Sequence, residues 1–165
     1  MFHLGEKAVH ENLPWRGVVD ALRAAHATQE RPMDNVGVFD APDGTGDQFV
    51  NLTAWSPSRM IAVKMVGVFP QNAALLTPEP SVQGLVALFD GKTGRALMTC
   101  DGAALTYRKT AGDSALGTDL LARPDAEVMA IAGAGGLAPY VVRATCAVRP
   151  IKRVLIWNRS RARAE

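Results

Sequence analysis

The sequence has few of the residues that usually build metal centres or disulfide frameworks. Its two cysteines are isolated from each other, and its three histidines lie in the N-terminal segment: Cys100, Cys146, His3, His10 and His26. Neither set has metal-ligand spacing, and no Ser-His-Asp or P-loop constellation is present. The cysteines therefore predict reduced, packed thiols in a cytoplasmic protein, and we expect no bound metal.

Strong charge and long apolar runs are also missing. The formal net charge is +2, which argues against nucleic acid or an anionic membrane as a partner. No apolar stretch approaches the length of a membrane span, and the N-terminus lacks the pattern of an export signal. With 165 residues and 48% hydrophobic content, we expect a globular protein with one domain or slightly more.

A glycine-rich turn is the most informative motif present. Residues 133–138 read Gly-Ala-Gly-Gly-Leu-Ala, between an apolar run at 128–132 and a predicted helix at 140–148. A second apolar run follows at 154–157, which completes the order of a βαβ unit. Pro139 fits the first helical turn, where N–H groups have no partner within the helix. Backbone N–H groups of such a turn can approach a pyrophosphate, so the pattern predicts a dinucleotide site. The predicted cofactor contacts in this turn are Gly133, Gly135, Gly136 and Leu137.

The end of the second strand indicates which dinucleotide is bound. An NAD site usually has an acidic residue there, but this strand is followed by Asn158, Arg159 and Ser160. A guanidinium can bind a 2′-phosphate through two hydrogen bonds, and an amide or hydroxyl can assist. These residues favour NADP(H), with NAD(H) as the alternative. Arg161 and Arg163 are interpreted as solvated charges.

The residues before the turn predict a mixed α/β segment. Asn12 is a possible N-cap of a helix that has Pro14 in its first turn. Predicted strands follow at 36–39, 48–55, 60–69, 84–89 and 96–99, and a helix at 105–121. The strand at 60–68 alternates little and should be central in its sheet. Residues 90–94, Asp-Gly-Lys-Thr-Gly, predict a hairpin turn.

Several of these segments, in order and spacing, resemble the ornithine cyclodeaminase/μ-crystallin family. The matching stretches are 64–72 (KMVGVFPQN), 80–84 (PSVQG), 88–94 (LFDGKTG), 101–102 (DG), 105–111 (LTYRKTA), and the glycine turn with 157–159 (WNR). The resemblance implies an α+β substrate and dimerisation domain at 1–123, followed by the first βαβ of a Rossmann-type domain at 124–165. A doubly wound domain needs about six strands, so this second domain is incomplete within the 165 residues. We expect an α/β fold and a homodimer.

The resemblance also implies redox chemistry on an amino or imino acid. In this family, hydride is exchanged at the α-carbon of an imine, with a nicotinamide as donor or acceptor. Lys64 matches the family lysine at the substrate carboxylate and reacting centre. The resemblance implies that Arg31 corresponds to the arginine that holds the carboxylate, and a surface charge is the alternative interpretation of Arg31. The catalytic aspartate of the family lies late in the nucleotide domain and has no counterpart in these residues.

One position departs from the family pattern. Lys109 stands where the family has the arginine of an Arg-Thr-Ala motif near substrate and cofactor, and Arg108 precedes it. Lysine provides charge without a planar fork, so binding would be less directional, and Arg108 is the alternative. Ser81 matches a family threonine near the cofactor. Asp113 and Asp119 are interpreted as solvated helix charges rather than as catalytic substitutes.

Three functions are compatible with these residues. The first is NADPH-dependent reduction of a cyclic imino acid of the Δ1-pyrroline-2-carboxylate type. The second is cyclodeamination of ornithine to proline and ammonia. The third, of another class, is a truncated and non-catalytic dimeric remnant, because the missing strands would leave apolar faces of the βαβ unit uncovered.

Overall fold

The computed structural model describes residues 1–28 and 30–164. The chain forms two compact units. The first contains residues 1–11 and 30–105, and the second contains residues 12–28 and 106–164. Both units combine helices and strands, which confirms the α/β class. The division into domains at 123/124 remains a prediction.

The first unit is built on a six-stranded sheet. Its strands are β1 (Phe2–Leu4), β2 (Met33–Asp40), β3 (Gln48–Ser56), β4 (Met60–Val68), β5 (Val82–Asp90) and β6 (Ala96–Asp101). The spatial order is β1-β6-β5-β4-β3-β2, in which β1 runs parallel to β6 and the other neighbours are antiparallel. Strand β4 therefore has a partner on each side, as its weak alternation predicts. A short helix, α1 (Glu6–Asn12), follows β1.

The hairpin between β5 and β6 forms where its turn residues predict it. The Asp90 carboxylate accepts hydrogen bonds from the Lys92 N–H at 3.0 Å and the Thr93 N–H at 2.7 Å. It also accepts one from the Thr93 hydroxyl at 2.9 Å. These bonds lower the pKa of Asp90, Thr93 contributing most. Gly94 has φ of 71°, a conformation that glycine adopts without steric cost.

The second unit contains the βαβ element. Strands β7 (Val128–Ala132) and β8 (Arg153–Trp157) pair in parallel, and helix α4 (Ala138–Cys146) connects them. Helix α2 (Trp15–Ala27) and the part of α3 (Gly102–Leu121) from Thr106 onward pack in the same unit. Their shared core consists of Val19, Ala111, Ala115, Leu116, Ala144 and Val148. The strand–helix–strand prediction is confirmed, and so is Pro139 in the first turn of α4.

Close packing of α2 on α3 depends on a glycine. A Cβ atom added to Gly112 would lie 2.6 Å from Cγ1 of Val18 and 3.1 Å from Cδ1 of Leu22. Contacts this short do not occur between real side chains, so only a hydrogen fits at this position. By contrast, a Cβ on Gly117, five residues further along the same helix, would meet nothing within 4 Å.

An ion-pair network joins three segments of the second unit. The Asp119 carboxylate on α3 accepts hydrogen bonds from Arg23 on α2 and from Arg149, which follows α4. Arg149 also donates to the carbonyl oxygens of Asp119 at 2.6 Å, Ala122 at 2.9 Å and Val148 at 2.8 Å. The interpretation of Asp119 as a solvated charge is wrong, because its side chain is 15% exposed and that of Arg149 is 8% exposed.

Three other details differ from the sequence predictions. Asn12 is the last residue of α1 rather than an N-cap, because Pro14 occupies the cap position of α2 without a side-chain hydrogen bond. Strand β1 and helix α1 were not predicted, because each is too short to show a periodic pattern. Cys100 and Cys146 are both free, but Cys146 is exposed on α4 rather than packed.

One face of the β7–β8 pair is open in the described part of the chain. The register places Val128 beside Arg153, Ala130 beside Leu155, and Ala132 beside Trp157 on this face. Leu155 is 51% exposed and Trp157 is 69% exposed. None of the described helices is long and apolar enough to cross a membrane.

Candidate functional site

The glycine turn joins β7 to α4 and is fixed to β8 by a hydrogen bond. The Gly133 N–H donates to the carbonyl oxygen of Trp157 at 2.7 Å. Gly133 has φ of +117°, which an L side chain rarely adopts, so this glycine is required by the backbone. At the other end of the turn, the Ala138 N–H donates to the Gly135 carbonyl at 3.0 Å, and α4 begins.

Space remains beside this backbone. A Cβ atom added at Gly133 or Gly135 would meet no other atom within 4 Å. A cavity of about 320 Å³ is lined by Gly133, Gly135, Leu137 and neighbouring apolar residues. The turn also lies at the positive end of α4. Because Gly133 and Gly135 have no side chains, a phosphate group has room to approach backbone N–H groups of the turn. A dinucleotide site requires this arrangement.

Asn158 connects the turn to the end of β8. Its side-chain oxygen accepts the Ala134 N–H at 3.4 Å, and its amide nitrogen donates to the Ser160 carbonyl at 2.8 Å. The side chains of Arg159 and Ser160 are exposed beside it. The structure thus brings Asn158 and the glycine turn into contact, and it leaves the Arg159 guanidinium accessible to solvent.

The two candidate basic residues on α3 have different environments. Lys109 is exposed, and its ammonium lies 2.5 Å from the Asp113 carboxylate one turn later. The Arg108 guanidinium is partly buried and lies 3.9 Å from the centre of the Trp15 ring. Burial lowers the pKa of Arg108 from its ordinary value, although arginine stays charged at neutral pH. A ligand anion at Lys109 would have to compete with Asp113.

An aromatic cluster next to the glycine turn was not predicted. The rings of Tyr107 and Tyr140 stack with centroids 4.5 Å apart and an interplanar angle of 3°. Trp15 meets Tyr140 edge to face at 6.4 Å. These residues come from three different helices, so no local sequence pattern connects them. The sequence contains two tyrosines in all, Tyr107 and Tyr140, and this scarcity is the one sequence feature that could have drawn attention to them.

In the first unit, Lys64 occupies the middle of β4. Its neighbours in register are Leu52 on β3 and Val86 on β5. The side chain is half-buried, and Val86 is buried. Residues paired in register place their side chains on the same face of a sheet, so the Lys64 side chain leaves the strand beside these two apolar residues.

The remaining predicted contacts of the first unit lie at its loops. Arg31 is exposed and precedes β2. Ser81 precedes β5, and its carbonyl accepts the Phe69 N–H at 2.7 Å, which joins the end of β4 to the start of β5. The Asn72 side chain donates to the Pro80 carbonyl at 2.9 Å and organises the same loop. Lys64, Arg31 and Ser81 thus belong to the first unit, whereas Lys109 and the glycine turn belong to the second.

Sequence comparison connects this chain to known proteins. The model of the ornithine cyclodeaminase/mu-crystallin family matches residues 20–165. The Delta(1)-pyrroline-2-carboxylate reductase of Paracoccus denitrificans is 39% identical over 154 residues, 93% of this chain and 47% of that protein. The reductase of the same name from Colwellia psychrerythraea is 33% identical over 162 residues, 95% of this chain and 50% of that protein. The chain thus spans about half the length of these relatives.

Solved structures share the fold. The structure of a lysine cyclodeaminase that recognises L-lysine, L-ornithine and L-2,4-diaminobutyric acid matches with a TM-score of 0.79 and 26% identity. The match covers 98% of this chain and 50% of that one. The Thermococcus litoralis Delta(1)-pyrroline-2-carboxylate reductase, in complex with NADH and L-proline, matches with a TM-score of 0.85 and 24% identity. That match covers 99% of this chain and 51% of the other.

Proposed function

The chain belongs to the ornithine cyclodeaminase/mu-crystallin family, and we propose from this that the whole protein is a nicotinamide-dependent oxidoreductase acting on a cyclic imino acid. The preferred substrate is Δ1-pyrroline-2-carboxylate. Two curated relatives with this activity in their names share 39% and 33% identity with nearly the whole chain. The observation that carries the proposal is the open glycine turn between two parallel strands.

The glycine turn is the proposed holder of the cofactor diphosphate. Gly135, Gly136 and Leu137 would present backbone N–H groups at the start of α4, and Gly133, whose own N–H is bonded to Trp157, would leave space for the phosphate. Lys109 of the same unit is a further proposed contact of the cofactor, and Ser81 stays a cofactor contact that the family resemblance alone implies. A nicotinamide bound there would supply the hydride for reduction of the C=N bond. Asn158 keeps the turn in place through the Ala134 N–H.

We assign NADP(H) as the preferred cofactor, with NAD(H) as the alternative. The support is the exposed Arg159 guanidinium after β8, with Ser160 beside it and no carboxylate from 158 to 160. A 2′-phosphate would gain a charge-assisted hydrogen bond there. Replacing Arg159 with alanine should therefore raise the Kd for NADPH roughly ten-fold and leave that for NADH unchanged.

Lys64 is the proposed catalytic-site cation. Its ammonium would bind the substrate carboxylate and orient the imine carbon, with Arg31 of the same unit as a further carboxylate contact. Its half-buried position in the middle of β4 supports this role, because apolar neighbours reduce competition from water.

The test uses the complete polypeptide that the gene encodes. With Δ1-pyrroline-2-carboxylate, NADPH should be oxidised faster than NADH. Lys64→Met should lower kcat/KM about 100-fold, because an oriented cation for the carboxylate is lost. Lys92→Met is the matched control, since Lys92 is exposed in the β5–β6 turn, and it should retain activity. Equal activity of the Lys64 variant would contradict the assignment, and absence of any turnover would contradict the proposed reaction.

Ornithine cyclodeamination is the second candidate. It is favoured by the match to a lysine cyclodeaminase structure at 26% identity. This reaction releases ammonia and starts from oxidation of the amino acid, so it requires the oxidised cofactor. Ammonia release from L-ornithine with NAD⁺, in the absence of turnover of the imino acid, would select this activity over the reductase.

The assembly and location are also proposed. We infer a homodimer in the cytoplasm, supported by free cysteines and by exposed apolar side chains of β2 and β3, including Val36, Val38 and Trp55. Light scattering of the complete polypeptide should give twice the monomer mass. The alternative of another class is a non-catalytic dimeric protein. NADPH-dependent reduction by the complete polypeptide would contradict that alternative.

A further inference from the structure

The geometry points to Tyr107 as a further residue of the dinucleotide site, whose hydroxyl donates a hydrogen bond to the cofactor diphosphate. This inference rests on the proposed function. It concerns a side chain on α3, outside the glycine turn and outside the end of β8. Tyr107 lies two residues before Lys109, and both belong to the second unit with the turn itself.

The Tyr107 ring is held in place by other aromatic groups. It stacks in parallel on Tyr140, which belongs to the first turn of α4. Tyr140 in turn meets the edge of Trp15, and the Arg108 guanidinium covers the Trp15 ring at 3.9 Å. Stacked and edge-to-face aromatic pairs, and a cation over an aromatic ring, are favourable contacts with preferred geometries. Together they restrict the positions that the three rings can adopt. The orientation of Tyr107 is therefore set before any ligand binds.

The stacked ring places the Tyr107 hydroxyl at the glycine turn. A Cβ atom added to Gly136 would lie 3.1 Å from Oη of Tyr107 and 3.8 Å from Cζ. Apart from the neighbours of Gly136 along the chain, the hydroxyl oxygen is the atom nearest to that added Cβ. The hydroxyl occupies the space that a side chain at position 136 would need. Position 136 is two residues before α4 begins.

A phenol hydroxyl at this position complements the backbone N–H groups of the turn. It can donate one hydrogen bond to a phosphate oxygen. A hydrogen bond to a charged acceptor from a group already fixed in place contributes more than one from a mobile side chain. Because both NADH and NADPH contain the diphosphate, Tyr107 should strengthen binding of both equally, whereas Arg159 should affect NADPH alone.

The first test is calorimetric titration of the complete polypeptide with NADPH and with NADH. Tyr107→Phe keeps the ring and removes the hydroxyl, so it should raise the Kd for both cofactors by the same factor, roughly ten-fold. Adenosine 2′-monophosphate lacks the diphosphate, and its Kd should stay within about two-fold. Unchanged Kd values for both dinucleotides, or an equal loss for the mononucleotide, would overturn the role of Tyr107. If the unmodified protein binds neither dinucleotide, the proposed function itself fails.

A second test examines the geometry without any cofactor. Gly136→Ala should lower the melting temperature, because its methyl group would press on the Tyr107 hydroxyl at 3.1 Å. In the Tyr107→Phe background this oxygen is gone, and the same alanine substitution should cost less. An equal loss of melting temperature in both backgrounds would show that the hydroxyl does not lie at the turn, which would overturn the inference.

Discussion

Removal of the Asp119 carboxylate should destabilise the protein strongly, because this carboxylate is the counter-ion of a buried arginine. The carboxylate lies between Arg23 and Arg149, and the Arg149 side chain is 8% exposed. In Asp119→Ala, Arg149 keeps its bonds to three carbonyl oxygens but loses its counter-ion. A buried charge without its partner costs about 3–5 kcal/mol.

The expected loss lies at the lower end of that range. Three main-chain acceptors still solvate the Arg149 guanidinium, so we expect about 3 kcal/mol, or roughly a 150-fold change in the folding equilibrium. Arg23→Ala should cost about 1 kcal/mol or less, because Arg23 is 38% exposed and water replaces part of the interaction.

Equilibrium urea unfolding of the complete polypeptide measures these values. With an m-value of about 2 kcal/mol/M, Asp119→Ala should lower the midpoint by about 1.5 M. The control is Asp20→Ala, which removes an exposed pair with Arg16 on α2 and should change stability by less than about 0.5 kcal/mol. A loss below about 1 kcal/mol for Asp119→Ala would refute the reasoning, because the pair would then behave like a surface ion pair.

Three further predictions concern packing, thiol reactivity and acid stability. Gly112→Ala should lower the melting temperature because its methyl group has no space, whereas Gly117→Ala should raise stability by up to about 1 kcal/mol through helix propensity. At pH 8, a thiol reagent should modify exposed Cys146 quickly and Cys100 slowly, because burial raises the pKa of the Cys100 thiol. The lowered pKa of Asp90 contributes stability above its ordinary pKa, and this contribution should disappear as the pH falls below about 4.

One experimental result would contradict each of these three predictions. Equal effects of the two glycine substitutions would show that α2 does not pack closely on α3 at Gly112. Equal labelling rates of the two thiols in the native protein would show that Cys100 is accessible. Asp90→Asn removes the titration, so an unchanged slope of stability against pH between about 3 and 5 would exclude Asp90 as a contributor.

The sequence predicted the elements that depend on local patterns. The βαβ unit, the β5–β6 hairpin and the central position of β4 were predicted because periodicity and turn residues lie within short stretches. The Asp119 network was not predictable, because Arg23 and Arg149 are distant along the chain and meet only after α2, α3 and α4 pack. The Tyr107–Tyr140 stack was missed for the same reason. The site roles of Lys64 and Arg31 came from family resemblance rather than from any local pattern.

The two hydrogen bonds of Asn158 have a consequence for redesign of nucleotide selectivity. In NAD sites an acidic residue at the end of the second strand binds the ribose 2′-hydroxyl, so replacing Asn158 with aspartate is the direct way to favour NAD(H). Aspartate would preserve an acceptor for the Ala134 N–H, yet it has no donor for the Ser160 carbonyl. A selectivity swap here would therefore loosen the neighbouring loop at the same time. Libraries that alter residue 158 should vary residue 160 together with it.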